Sequence, residues 1–196
     1  SSYAYVTDSL HIDSVDSAEW TEHMRYNGTE IRTRVDFNQI PQIMKDAMVA
    51  IEDKRFYQHN GVDWYRTLGA VYGLVTGSDS AGGSTITQQL IKNLTEDNET
   101  TVKRKVTEIF RALEFDRNYD KDTTLLWYLN VIPLGAGCEG VGAAAEKYFG
   151  KPVSELTLAE CASLIAITNN PSKYGPYSLA KVANSKGELW DAKQWN

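Results

Sequence analysis

Hydrophobic and polar positions divide the chain into one short β-type segment and a long series of helical ones. Residues 1 to 21 are polar and aperiodic, with scattered aromatics, and read as a lead-in. Two short extended runs, 22–26 and 29–37, then flank Asn27-Gly28. An Asn-Gly pair between such runs predicts a β-hairpin, because both central positions of the turn need positive φ. In the second run Ile31, Thr33, Val35 and Phe37 fall on one face, as in a half-buried strand. From Ile40 the period lengthens. Ile40, Met44, Ala47, Met48 and Ile51 have helical spacing, and Pro41 sits near the first turn, where its missing N–H costs nothing.

Further helices follow. One is predicted over 64–75, capped by Asp63 and ended by Gly77; apart from Arg66 it is apolar or aromatic over most of its length. It reads equally as a core helix or as one facing a membrane interface, where Trp and Tyr are favoured. A Gly- and Ser-rich loop, 76–85, runs into a helix from Ile86. Another helix is expected from Val102 to Arg117, with Val106, Ile109, Phe110 and Leu113 as its apolar face. Asp122 is expected to cap a helix ending near Asn130, and a helix rich in small residues spans 141–149. Thr157 and Glu160 have capping-box spacing ahead of a helix that Asn170-Pro171 stops. Beyond Pro176 the pattern weakens. No internal repeat is visible.

Composition sharpens this outline. With 196 residues, 42% of them hydrophobic, the chain can bury one core. A formal charge of −6 with no basic stripe argues against nucleic acid as a partner, and an anionic substrate would need a local basic cluster. Cys138 and Cys161 lack metal-ligand spacing and read as two small buried residues, with a single bridge as the alternative. No run is long and apolar enough for a transmembrane helix, and no secretory leader is visible; the chain is expected to be one domain of a longer protein.

The densest chemistry lies between Ala50 and Asp63. Glu52 and Asp53 close a helix, followed by two bases, Phe56-Tyr57, His59 and Asn60-Gly61. The negative end of the helix dipole disfavours carboxylate charge, which makes Glu52 a candidate general base; the plain alternative is a pair of solvated acids. The loop before Ile86 offers N–H groups suited to an anion, although it lacks P-loop spacing. Ser84, Thr85, Gln88 and Gln89 add polar groups suited to sugar hydroxyls or phosphate oxygens, or else form a polar cap and a solvated face. Arg104, Lys105, Glu108 and Arg111 are either surface ion pairs or a carboxylate held among cations that can receive phosphate.

Taken together, these stretches resemble the glycosyltransferase domain of class A penicillin-binding proteins and of the monofunctional peptidoglycan glycosyltransferases. Residues 52–61, 83–89 and 104–108 look like that family's first three motifs. Tyr128-Leu129-Asn130 with the glycines to Lys151 looks like the fourth, and Leu156 to Pro171 with Tyr174 the fifth. Five motifs in order across residues 38–177 are highly specific. The resemblance implies a mainly α-helical, lysozyme-like fold with two lobes around a long cleft, preceded by the small β-hairpin. It divides the chain into a lead-in and hairpin (1–37), the glycosyltransferase domain (38–177) and a tail (178–196).

It further implies polymerisation of lipid II onto a growing lipid-linked glycan chain, with inversion and loss of undecaprenyl pyrophosphate, at the extracytoplasmic face of the bacterial cell membrane. Glu52 would be the base. Lys92, Arg104 and Lys105 would meet the pyrophosphate, with Ser84, Thr85 and Gln89 as donors. Glu108 would orient those bases or a divalent cation, Mg or Mn, no cofactor being held tightly. The motifs add Asp53, Phe56, His59, Gln88 and Asn130 to the substrate-binding set. A transpeptidase domain in the full-length protein, and membrane contact through residues 64–75, are expected. One departure stands out: family members often carry an arginine shortly before the third motif, where this chain has Thr100. Two rival readings are a lysozyme-like hydrolase or lytic enzyme, which needs an acid and often a second carboxylate, and a catalytically silent lipid II-binding module.

Overall fold

A computed structural model of the chain describes residues 31–76, 83–95, 102–170 and 174. It is mainly helical. Among the described residues there are seven α-helices: α1 (Gln42–Glu52), α2 (Trp64–Thr76), α3 (Ile86–Thr95), α4 (Val102–Asn118), α5 (Lys121–Val131), α6 (Gly140–Phe149) and α7 (Leu158–Asn169). Short 3-10 turns occupy Phe56–Gln58 and Val153–Glu155. Helix α3 packs against both α4 and α5, α1 against α7, and α5 against α6. The core they enclose includes Met44, Met48, Phe56, Ile86, Leu90, Phe115, Leu125, Leu129 and Leu164, all essentially without exposed surface.

The hairpin turn expected at Asn27-Gly28 lies outside the described residues. The second extended run is only partly a strand. Strand β1 (Ile31–Arg32) pairs in parallel with β2 (Cys138–Glu139), Ile31 opposite Cys138. Beyond β1 the chain is no longer a strand but keeps the expected alternation, with Val35 buried between exposed Arg34 and Asp36. The partner there is a side chain. Asn130 Oδ1 accepts from the Val35 N–H (2.9 Å) and Asn130 Nδ2 donates to the Val35 carbonyl (3.0 Å). A primary amide presents both donor and acceptor, and so substitutes for a neighbouring strand.

Helix starts follow the sequence closely. Asp63 accepts from the Arg66 N–H (3.1 Å), and the Thr157–Glu160 capping box is complete, with Lys151 also on Glu160 (2.8 Å). The Lys151 contact and the cap hydrogen bonds hold the Glu160 carboxyl down at about 2. Two expectations are corrected. Asp120 caps α5, accepting from the Thr123 N–H (2.7 Å); the helix starts one residue before Asp122, which sits in its first turn. On α4, Val106 and Phe110 are exposed, while Glu108, Ala112 and Phe115 form the buried stripe at i, i+4, i+7. Ile109 and Leu113 are half-buried against the core. The helix is rotated so that a carboxylate faces inwards, with Arg104 and Lys105 beside it.

Cys138 and Cys161 are buried free thiols, each pushed up by burial. The small-residue helix packs as expected: Ala143, Ala144 and Ala145 have no exposed surface. A Cβ on Gly142 would lie 2.4 Å from the Thr33 carbonyl oxygen. Gly142→Ala therefore has to push the 33–35 segment off α6, and is expected to cost about 1–3 kcal/mol, as overpacking does. Chemical denaturation of the variant against the parent checks this.

Candidate functional site

The site is assembled where α1 ends. Asp53 is the C-cap of α1 and has no exposed surface. Its Oδ2 lies 2.9 Å from His59 Nε2 and accepts from the Ile86 N–H at 3.1 Å, so it sits at the positive end of α3. With Asp53 ionised, the facing His59 nitrogen is a donor. Arg66 lies 3.8 Å from the other carboxylate oxygen and donates to the Glu52 carbonyl at 2.5 Å. Arg66 is held in turn by α2, whose start Asp63 caps while receiving both arms of Arg55 (2.9 and 2.8 Å). The Asn60-Gly61 turn fits between helices: Gly61 has φ +78°, and a Cβ there would lie 2.2 Å from the Ala112 carbonyl oxygen.

Glu52, one residue before Asp53, points elsewhere and is half-buried. Its Oε2 accepts from Gln89 Nε2 (2.9 Å) and its Oε1 from Thr168 Oγ1 (2.8 Å). Gln89 Oε1 accepts from the Tyr128 hydroxyl (3.1 Å). Tyr128 is fully buried, and burial, followed by the nearby Glu52 and Asp53 charges, raises its hydroxyl well above the ordinary range, so it stays a donor. The Glu52 carboxylate thus meets two donors contributed by α3 and α7.

A second cluster lies between α3 and α4. Arg104 donates to Glu108 Oε2 (2.6 Å), Lys105 reaches Glu108 Oε1, and Lys105 also donates to Ser84 Oγ (2.9 Å). Both Glu108 oxygens are therefore engaged by cations. Lys92 is exposed on α3.

The predicted residues thus divide. Glu52 and Gln89 are brought together, as are Ser84, Arg104, Lys105 and Glu108. Thr85 and Gln88 are buried and face each other at the start of α3: the Thr85 N–H donates to Gln88 Oε1 (3.0 Å) and the Gln88 N–H to Thr85 Oγ1 (3.2 Å), while Thr85 Oγ1 donates to the Gly61 carbonyl (2.6 Å). Phe56 is a core ring with Lys121 above it, and Asn130 is committed to Val35. Asp53 and His59 form the buried pair beneath Glu52. Tyr128, Thr168 and Arg66 join the site although the sequence did not single them out for it. Arg66 carried a signal, as the lone charge in an apolar and aromatic helix. Tyr128 lay inside the fourth motif. Thr168 showed only as a hydroxyl in the last turn of an apolar helix.

A family model described as Transglycosylase matches residues 19–191. The chain belongs to the transglycosylase family. At the family level this transglycosylase is a peptidoglycan glycosyltransferase. It is 43% identical over 160 residues to penicillin-binding protein 1A of Clostridium botulinum, covering 79% of this chain and 19% of that protein. Against penicillin-binding protein 1A of Clostridium perfringens the identity is 45%, covering 79% and 24%. Against penicillin-binding protein 1A/1B of Bacillus subtilis it is 42%, covering 83% and 18%. The transglycosylase chain thus spans about a fifth of the length of these relatives.

Removing the buried carboxylate tests how the transglycosylase site is tied together. Asp53→Ala strands the Ile86 N–H and His59 and is expected to lower stability by about 3–5 kcal/mol, the cost of breaking a buried charged pair from one side. Asp53→Asn, with its amide oxygen in the place of Oδ2, keeps an acceptor for both and is expected to lose less. Thermal unfolding of the two variants separates the cases.

Proposed function

We propose that this domain polymerises lipid II, with the growing lipid-linked glycan as donor and lipid II as acceptor. The acceptor 4-hydroxyl gives its proton to Glu52 as its oxygen bonds to the donor anomeric carbon. The bond from that carbon to the pyrophosphate oxygen breaks, and the electron pair leaves with undecaprenyl pyrophosphate. Attack opposite the leaving group converts an α-linked donor into a β-1,4 bond. The observation that carries this reading is the contrast among the acids. Asp53 is buried against His59 and Ile86, and both Glu108 oxygens face cations, Arg104 and Lys105, whereas Glu52 is half-buried and, among the described residues, its oxygens face the neutral donors Gln89 and Thr168. A carboxylate that faces neutral donors can take up a proton without displacing a cation, and its oxygens keep lone pairs beyond those the donors use.

The same contrast weighs against a hydrolase, which would need a second carboxylate free to act. A pyrophosphate leaving group needs preorganised positive charge more than it needs a proton. Lys92, Arg104 and Lys105 supply it from α3 and α4, and Ser84 sets the Lys105 ammonium. Thr85, Gln88, Phe56, His59 and Asn130 serve by holding the backbone that carries these groups. A divalent cation does not fit Glu108 directly, since both oxygens already face cations, and the described residues hold no cluster of three His, Cys, Asp or Glu side chains suited to a metal. The sequence resemblance supports a site in a cleft between two lobes, and a transpeptidase domain in the remaining length of a protein like these relatives.

Among the described residues no helix is long and apolar enough to cross a membrane. The exposed face of α2 instead suits contact with its surface: Trp64, Tyr65, Leu68 and Tyr72 all face outwards, Tyr65 at 79% exposure, and Val106 and Phe110 are exposed on α4. A lipid-linked substrate would then reach the site from the extracytoplasmic face of the cell membrane.

A lipid II polymerisation assay with glycan length resolved tests the reading. Glu52→Gln keeps the shape and removes the base, and is expected to slow chain growth by about 10²–10⁴-fold. A variant that polymerises at the parent rate would overturn the assignment. Tyr65→Ser combined with Leu68→Ser is expected to weaken sedimentation with phosphatidylglycerol vesicles about tenfold or more, given roughly 1.5–3 kcal/mol for each large apolar side chain buried; vesicle co-sedimentation reads this directly.

A further inference from the structure

We infer that Thr168 is a positioning residue for Glu52 and directs the accepted proton onto Oε1. The inference rests on the reading of Glu52 as the base. The two donors on the carboxylate are not equivalent. Gln89 is fixed as a donor: its Oε1 accepts from the Tyr128 hydroxyl at 3.1 Å, and Tyr128 is fully buried. Flipping the amide would turn a carbonyl oxygen towards Glu52 and leave the Tyr128 hydrogen without that acceptor. An unsatisfied buried hydroxyl is costly, so Gln89 keeps its N–H on Glu52 Oε2.

Thr168 is free to change. Its one hydroxyl hydrogen has two acceptors in reach, Glu52 Oε1 at 2.8 Å and the Ile165 carbonyl at 2.8 Å. While Glu52 is ionised the hydrogen belongs on the carboxylate, where the bond is charge-assisted. Once Oε1 carries a proton, the hydroxyl turns to Ile165 and offers Glu52 a lone pair. The Thr168 side therefore stays hydrogen-bonded in both protonation states. The Gln89 N–H suits Oε2 only while that oxygen carries no proton of its own. A proton arriving from the acceptor sugar is accommodated on Oε1 and opposed on Oε2.

The other groups around Glu52 do not change with Thr168. Arg66 from α2 holds its carbonyl, Asp53 with His59 lies behind it, and Gln89 and Tyr128 face it from α3 and α5. Their combined field cancels when variants at position 168 are compared.

The test is the pH profile of lipid II polymerisation by the chain and its variants. Thr168→Val removes the hydroxyl with little change of volume. It is expected to lower kcat about tenfold, to leave KM within about twofold, and to move the acid limb of the kcat profile upwards by about one pH unit, since a charge-assisted hydrogen bond to the ionised form is lost. Thr168→Ser is expected to restore both rate and limb. Should the valine variant not fold, Thr168→Ala reads the same limb. An acid limb left in place by the hydroxyl-free variant, or a serine variant as impaired as the valine one, overturns the role of Thr168. Parent-like activity in Glu52→Gln would instead overturn the base itself, so the two failures are distinguishable.

Discussion

The arrangement depends on one buried carboxylate. Asp53 has no exposed surface, yet it ends α1, receives His59 and receives the first N–H of α3. Burying a charge is costly unless donors replace its water. Here the donors to Oδ2 come from two other parts of the chain, with the Arg66 guanidinium 3.8 Å from Oδ1, so placing the charge also fixes where those parts lie. The end of α1 cannot shift without stranding the Asp53 charge, and Glu52 is the adjacent residue. The geometry of the acid proposed as the base is thus inherited from its buried neighbour.

Glu108 shows the same logic with a different result. It lies on the inward stripe of α4, where apolar spacing alone would have put Val106 and Phe110. Arg104 and Lys105, four and three residues earlier, satisfy its oxygens within the same helix. The rotation that buries Glu108 exposes two large apolar residues, on a protein whose α2 already exposes Trp64, Tyr65, Leu68 and Tyr72. A buried ion cluster and an outward apolar surface are therefore two consequences of one helix orientation. For the lipid-linked substrate proposed above, both would be useful.

These cases also mark how far the residues could be read without the structure. Helix positions and most caps were legible because they depend on local rules: period, a Ser, Thr or Asp before the first turn, and glycine where φ is positive. The Asp120 cap was misplaced by two residues, which is the ordinary ambiguity when two acids stand near one helix start. The α4 face was misread because periodicity counts hydrophobicity and is blind to a carboxylate carrying its own counter-ions. At the site, Glu52 stood out through its company of charged and aromatic residues. Thr168 did not, because its contact with Glu52 spans 116 residues and comes from a helix that otherwise reads as core. Thr85 and Gln88 had the spacing of a reciprocal cap as well as the chemistry of a ligand site, and the fold shows the reciprocal hydrogen bonds of the first.

Helix α3 joins the two halves of the site. Its first N–H is anchored by Asp53, Gln89 one turn on reaches Glu52, and Ser84 just before it meets the Lys105 ammonium that also holds Glu108. Glu52 and the cationic cluster are thus referenced to one rigid element of ten residues, whose start is fixed by the buried carboxylate. For a displacement in which a nucleophile is deprotonated at one end while a pyrophosphate departs at the other, the separation between the two groups has to be held. A helix keeps that separation through its backbone hydrogen bonds, which a loop carrying the same residues would not. On the proposed reading the Asp53–Ile86 contact is then the point at which stability and catalysis meet, because loosening it would let α3, and the cations referenced to it, drift away from the end of α1 and from Glu52.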